Sequence, residues 1–165
     1  MLFVGTHVDK ELLTIKKYAD YCTVLYNNEQ LEMETCILAV HKITKQNGCV
    51  NITFLLNGQS QNNKFFTSKM LLLEQYIQFK TGGSIDRCIY RENNNAYMHC
   101  LISEDTVIFN RHKKQVSLEE LFINAHVKCL LLIKDLNIKQ EHNEQETQKY
   151  KYIPQIKQLL IINSF

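Results

Sequence analysis

The stretch "AHVKCLLLIKDLNIKQEHNEQETQKYKYIPQIKQLLII", residues 125–162, decides how the chain is read, because two apolar runs flank a polar, charge-mixed gap. From Leu130 to Ile133 the first run is apolar on both faces, the pattern of a strand buried within a sheet or closed barrel. The second run alternates. Tyr150, Tyr152, Ile156, Leu160 and Ile162 are expected on one face, and Lys151, Gln155 and Lys157 on the other. Pro154 has no N–H to give to a ladder, so an edge, a bulge or an open side is expected beside it. The simplest partner for each run is the other.

Working outward, the chain of 165 residues with 45% hydrophobic content is long and apolar enough for one domain with a sizeable core. Lysine and arginine total 19 against 17 acids, so the net charge of +2 supplies no strong field toward a duplex or an anionic membrane. Any contact with nucleic acid must therefore be local. No apolar run approaches the roughly 20 residues of a membrane span, and no membrane partner is expected. The six cysteines never form a CxxC pair, which argues against zinc, and a chain with a core has no need of a disulfide framework. The start "MLFVGTH" has neither a basic region nor a long apolar segment. Reduced thiols and an intracellular, nuclear setting are expected, and the sequon Asn51-Ile52-Thr53 reads as a chance match.

One proline and five glycines leave the loop work to asparagine and glutamine, at 57–63, 92–95 and 139–149. Asp9 is placed to cap a helix carrying Leu12, Leu13, Ile15, Tyr18 and Ala19. Two β-prone runs, "ETCILAVHKI" and "CVNITFLLNG", are joined through Asn47-Gly48, the strongest hairpin signal in the sequence. Residues 65–80 suit either a strand or a helix, with Leu, Glu and Gln favouring the helix. "DRCIYRE", "AYMHCLIS" and "TVIFN" read as three meander strands. Ser117 and Glu120 form a capping box that predicts a helix of about two turns ending at Asn124.

Three meander strands, a capped helix and a two-strand hairpin follow the order of a five-stranded OB barrel, whose helix lies between its third and fourth strands. The expected fold is β-rich α+β: a single domain, 1–165, with an N-terminal helix and hairpin extension over 1–66 and an OB-like barrel over 67–165. The extension is either decoration or the source of the barrel's own first strands. Residues 84–162, above all "SLEELFINAHVKCLLLIKDLNIK" and "YKYIPQIKQLLII", resemble OB-fold small subunits of the replication protein A and telomere-capping (CST) type. That resemblance implies a small accessory subunit of a single-stranded nucleic-acid complex, with a larger OB-fold subunit as its partner.

Single-strand binding needs aromatic faces for stacking beside a basic groove. Tyr90, Arg91, Tyr97, His99 and Phe109 on the meander are candidates, with Arg111, Lys113 and Lys114 of the basic run "RHKK". Core packing of those aromatics and a solvated loop for "RHKK" are the plain alternatives. Glu141, Glu144 and Glu146 in the last loop would repel phosphate, which favours protein contacts. Phe65, Phe66, Ile161, Ile162 and Phe165 are candidates for a partner patch, or else complete the core. Chemistry is not expected and no cofactor is implied. His99 and Cys100 are adjacent on a strand and so point to opposite faces. His7, His41, His126 and His142 lack metal-ligand spacing. A stand-alone interaction protein and a metal-independent phosphodiesterase using His, Tyr and Lys remain as alternatives.

Overall fold

The computed structural model describes residues 2–3, 8–56, 60–139 and 149–163. The loop acids Glu141, Glu144 and Glu146, with His7, His142 and Phe165, lie outside the described residues. The strands are β1 (Leu2–Phe3), β2 (Leu13–Lys17), β3 (Tyr21–Tyr26), β4 (Glu29–Glu34), β5 (Leu38–Gln46), β6 (Cys49–Leu55), β7 (Ser84–Asp86), β8 (Ile89–Glu92), β9 (Asn95–Phe109), β10 (Gln115–Val116), β11 (His126–Ile133), β12 (Asp135–Lys139), β13 (Lys149–Lys151) and β14 (Gln155–Ile161). Among the described residues one long helix, α1 (Gln61–Thr81), stands between β6 and β7.

The two tail runs pair with each other, β11 antiparallel to β14 from Val127↔Ile161 to Leu132↔Gln155. β11 is central, since it also pairs with β4 and β5. From there the ladders return on themselves. β5 pairs with β6, β6 with β9, and β14 lies parallel to β9, so five strands form a closed circuit of pairings. Around it β2, β3, β4, β12, β13 and β7 build a second run of strands, reached from β11 through β4. The whole is a mixed β-rich structure.

Asparagine sets the tight turns. Asn27-Asn28, Asn47-Gly48 and Asn93-Asn94 all have positive φ at both positions, as two-residue hairpins whose twist matches the strands require. They join Tyr26↔Glu29, Gln46↔Cys49 and Glu92↔Asn95. Helix α1 begins where Ser60 Oγ accepts from the Asn63 N–H and ends at left-handed Gly82, which resolves the ambiguity of 65–80 toward the helix. It buries Phe66, Met70, Leu73 and Ile77.

Several expectations require correction. Asp9 does accept from the Glu11 N–H, but only the 3-10 turn Lys10–Leu12 follows. Residues 13–17 are then drawn into an antiparallel ladder with β3, which satisfies their backbone more completely than a short isolated helix. Ser117 makes no side-chain cap, and its segment is one 3-10 turn, Leu118–Glu120. The long helix thus precedes the circuit's third strand rather than following it. Residues 96–110 are not two strands. Exposed Glu104 and Asp105 sit within continuous β9, where its pairing passes from β6 toward β10 while β14 flanks both halves. The 38–55 hairpin is no appendage, because both its strands belong to the circuit. In β14 a register shift between Ile156 and Gln158 changes the parity, so Leu159 and Ile161 are buried where Leu160 and Ile162 were expected.

One buried carboxyl stands out. Glu74 on α1 is fully buried; its Oε1 accepts from the Cys88 N–H and Sγ, each at 2.9 Å. Its Oε2 and the hydroxyl of buried Tyr152 have no hydrogen-bond partner among the described residues. Burial, partly opposed by the bonds from Cys88, raises the Glu74 pKa. The unfolded chain ionises at about 4.3, so the stability Glu74 gives is full below that range and is lost as pH rises toward the folded value. Glu74→Gln has no such proton to lose. In thermal melts the wild type should match or exceed this variant near pH 4 and fall progressively behind it toward pH 8. Leu131, fully buried on β11 between β4 and β14, should cost about 2–5 kcal/mol on change to Ala, read by urea unfolding.

Candidate functional site

Strand β9 divides its residues by parity. Ala96, Met98, Cys100 and Ile102 are buried toward the core, so Tyr97, His99, Leu101 and Ser103 project from the other face. Register brings neighbours to that face: Thr53 of β6 opposite His99, Leu55 opposite Tyr97, and Tyr90 of β8 opposite Tyr97. The β5–β6 ladder shifts between Val40 and Lys42. The extra residue is His41, and a bulge of this kind re-aims side chains, leaving both His41 and Lys42 exposed.

The result is a ladder of four rings. His41 meets Tyr97 at 4.7 Å between centroids, Tyr97 meets Tyr90 at 5.4 Å, and Tyr90 meets His99 at 4.7 Å, the last two pairs stacked. Tyr97 is the buried rung; Tyr90 and His99 are half-buried. Thr53 Oγ1 lies 3.0 Å from His99 Nδ1, and its hydroxyl also bonds the Tyr90 phenol. The Asn95 amide donates to the Tyr97 hydroxyl at 3.4 Å. These bonds fix ring orientations that stacking alone would leave loose. Burial, with the positive charge of Lys42 second, lowers the His99 pKa and favours the neutral ring. Burial and nearby Glu92 raise that of Tyr90 and keep its phenol protonated.

The sequence candidates are therefore split. Tyr90, Tyr97 and His99 come together, while Arg91 is exposed and by alternation faces away from Tyr90. Phe109, at the far end of β9, lines a separate apolar groove of about 400 Å³ with Leu130, Leu160, Lys113 and Lys128. Arg111, Lys113 and Lys114 occupy the exposed β9–β10 turn, where Asn110 Oδ1 accepts from the His112 and Lys114 N–H groups. Of the partner candidates, Phe65 is exposed and Ile162 half-exposed, but Phe66 and Ile161 are buried in the core and cannot meet a partner. His41, Lys42 and Thr53 were missed. The Asn47-Gly48 turn carried the signal for Thr53 by fixing β6, whereas a bulge leaves no mark in the residue pattern.

His99, Tyr90 and Lys42 are the residue types of a metal-independent phosphodiesterase. Here the imidazole and phenol are stacked ring on ring and the phenol keeps its proton, so the group presents flat aromatic surface. Among the described residues no group of three or more His, Cys, Asp or Glu is arranged to hold a metal ion. Among the described residues no helix is long and apolar enough to cross a membrane.

No protein-family model and no curated protein matches the sequence. The fold is similar to solved structures of the single-stranded DNA-binding protein from bacteriophage Enc34. One such structure superposes with a TM-score of 0.57 at 9% identity, covering 92% of this chain and 90% of that one. A C-terminal truncation gives 0.55 at 11% identity, covering 94% and 95%. The same protein in complex with single-stranded DNA gives 0.53 at 11%, covering 92% and 95%. The likeness spans nearly all of both chains and is one of fold.

The electrostatics of the ladder are directly measurable. In an NMR titration His99 should show a midpoint below the ordinary imidazole value of about 6.5. Lys42→Ala should raise that midpoint without restoring it fully, since burial is the larger cause.

Proposed function

We propose that this chain binds single-stranded nucleic acid across the outer face of β5, β6, β8 and β9, with bases stacking on the His41–Tyr97–Tyr90–His99 ladder. The observation that carries this reading is the ladder itself: four rings in mutual contact on the wall of a sheet, with Lys42 beside them. Every base has a flat π face, so such a surface accepts any sequence, and each stacked base contributes about 1 to 3 kcal/mol. Lys42 supplies a cation at a place where a backbone phosphate would pass. We read the five-strand circuit as an OB-type barrel, a fold that binds oligonucleotides on the face of its second and third strands. Those strands are β6 and β9 in chain order round the circuit. The similarity in fold to a phage protein solved with single-stranded DNA supports the same reading.

A second reading is an accessory subunit held by a larger OB-fold protein, as in telomere-capping assemblies. It is favoured by the apolar groove at Phe109, Leu130 and Leu160, on another wall of the circuit from the ladder. The two readings are compatible, because they use different surfaces. Stoichiometric co-purification of a larger partner, abolished by Leu160→Glu, is the expected result; a chain that purifies alone from its native source removes it.

Fluorescence anisotropy with a labelled oligodeoxythymidine tests the first reading. The wild type should bind at low salt, and Tyr90→Ala should weaken binding by roughly 5- to 150-fold, the equivalent of one lost stack. Charge reversal at Lys113 and Lys114 should leave affinity for a short oligomer unchanged, since that turn lies away from the ladder. Absence of any binding at low salt rules the reading out.

A further inference from the structure

Beyond the ladder, a second aromatic pair lies exposed on strands that are not part of the five-strand circuit. Tyr18 and Tyr21, either side of the β2–β3 turn, stack with centroids 4.8 Å apart and planes 17° from parallel. They are 50% and 38% exposed, a large apolar surface for rings that nothing in the core requires. The Tyr18 N–H donates to the Tyr21 carbonyl at 2.8 Å, which holds the pair in register.

The position of the pair is informative. Tyr21 lies opposite Asn137 of β12, and Asn137 lies opposite Lys151 of β13. All three are exposed, forming one row across three strands. The same Asn137 and Lys151 line a groove of about 500 Å³, together with Lys134, and with Asn51, Leu101 and Gln155 on its other side. Leu101 and Asn51 are each two residues further along their strands from His99 and Thr53, and so share the ladder's face. A continuous surface therefore runs from the rings down β9, through the groove and up the row to Tyr21. Charge along it is favourable to phosphate: Lys134 and Lys151 border the groove, while the carboxylate of Asp135 accepts a hydrogen bond from Thr23 Oγ1 at 3.0 Å.

We propose that the Tyr18–Tyr21 pair is a second base-stacking station for the same single strand, with Lys134 and Lys151 holding the phosphates that cross between the two. This inference rests on the ladder reading and extends it from a short contact to a long one. A nucleic-acid strand suits this surface because it alternates flat apolar bases with anionic links, as the surface alternates rings with lysines.

The experiment compares oligodeoxythymidines of about 4 and about 12 nucleotides, lengths within the span bound by single OB folds. Affinities of the full-length chain and its variants are read by anisotropy. Tyr18→Ala/Tyr21→Ala should weaken the longer oligomer by at least roughly fivefold and leave the shorter one unchanged. Tyr18→Phe/Tyr21→Phe should bind both as the wild type does, because the ring faces and not the hydroxyls carry the contact. Lys134→Ala and Lys151→Ala should each reduce the salt slope of the longer oligomer by about 0.7. The proposal is overturned if the double alanine variant, folded by circular dichroism, binds the longer oligomer as tightly as the wild type while Tyr90→Ala still weakens it. If neither oligomer binds the wild type, the ladder reading falls and takes the second station with it.

Discussion

The parallel pairing of β14 with β9 is the constraint on which the rest of the molecule depends. β4 and β5 share one edge of β11, and β6 covers one edge of β9. Without β14 the other edge of β9, and one side of the β11 ladder, would present rows of unpaired backbone groups. Closing that seam pairs both edges at once. It also holds β9 at a fixed rotation, so that Ala96, Met98, Cys100 and Ile102 enter the core while His99 and Leu101 project from the other face.

That rotation links stability to the site. Met98 and Cys100 are fully buried; Tyr97 and His99, interleaved with them, carry half of the ring ladder. A strand that rolled to relax its packing would also misalign the stacking surface. Thr53 tightens the arrangement from the neighbouring strand, since its hydroxyl meets both His99 and Tyr90 while its backbone stays in the β6–β9 ladder. The aromatic face is thus preorganised by the sheet, and the entropy of ordering four rings is met on folding.

How much of this was legible in the sequence follows from how local each signal was. Asn47-Gly48 announced its hairpin because two positive φ values in succession admit few residues. The tail pair was legible because an apolar run flanked by alternation has few other ways to bury itself. The helix expected after Asp9 failed because the cap was real but the ladder with β3 was stronger, a competition no local window displays. The Glu104-Asp105 break misled for the opposite reason: polar residues at a bend in a long strand look like a loop. For the site, the aromatics of β8 and β9 were visible as residue types, but their union with His41 and Lys42 depends on a one-residue bulge. The basic turn at 111–114 drew notice through composition alone, and composition does not report which side of a sheet a turn occupies.

The seam between β9 and β14 joins Leu101 to Gln155 and Phe109 to Leu160, partners that lie far apart along the chain. Contacts so distant in sequence are slow to form, and a ribosome delivers β9 well before β14. During synthesis the nascent polypeptide therefore carries an uncapped strand, an inviting template for another copy. The seven-residue strand β14 serves the newborn chain as a clasp on that edge.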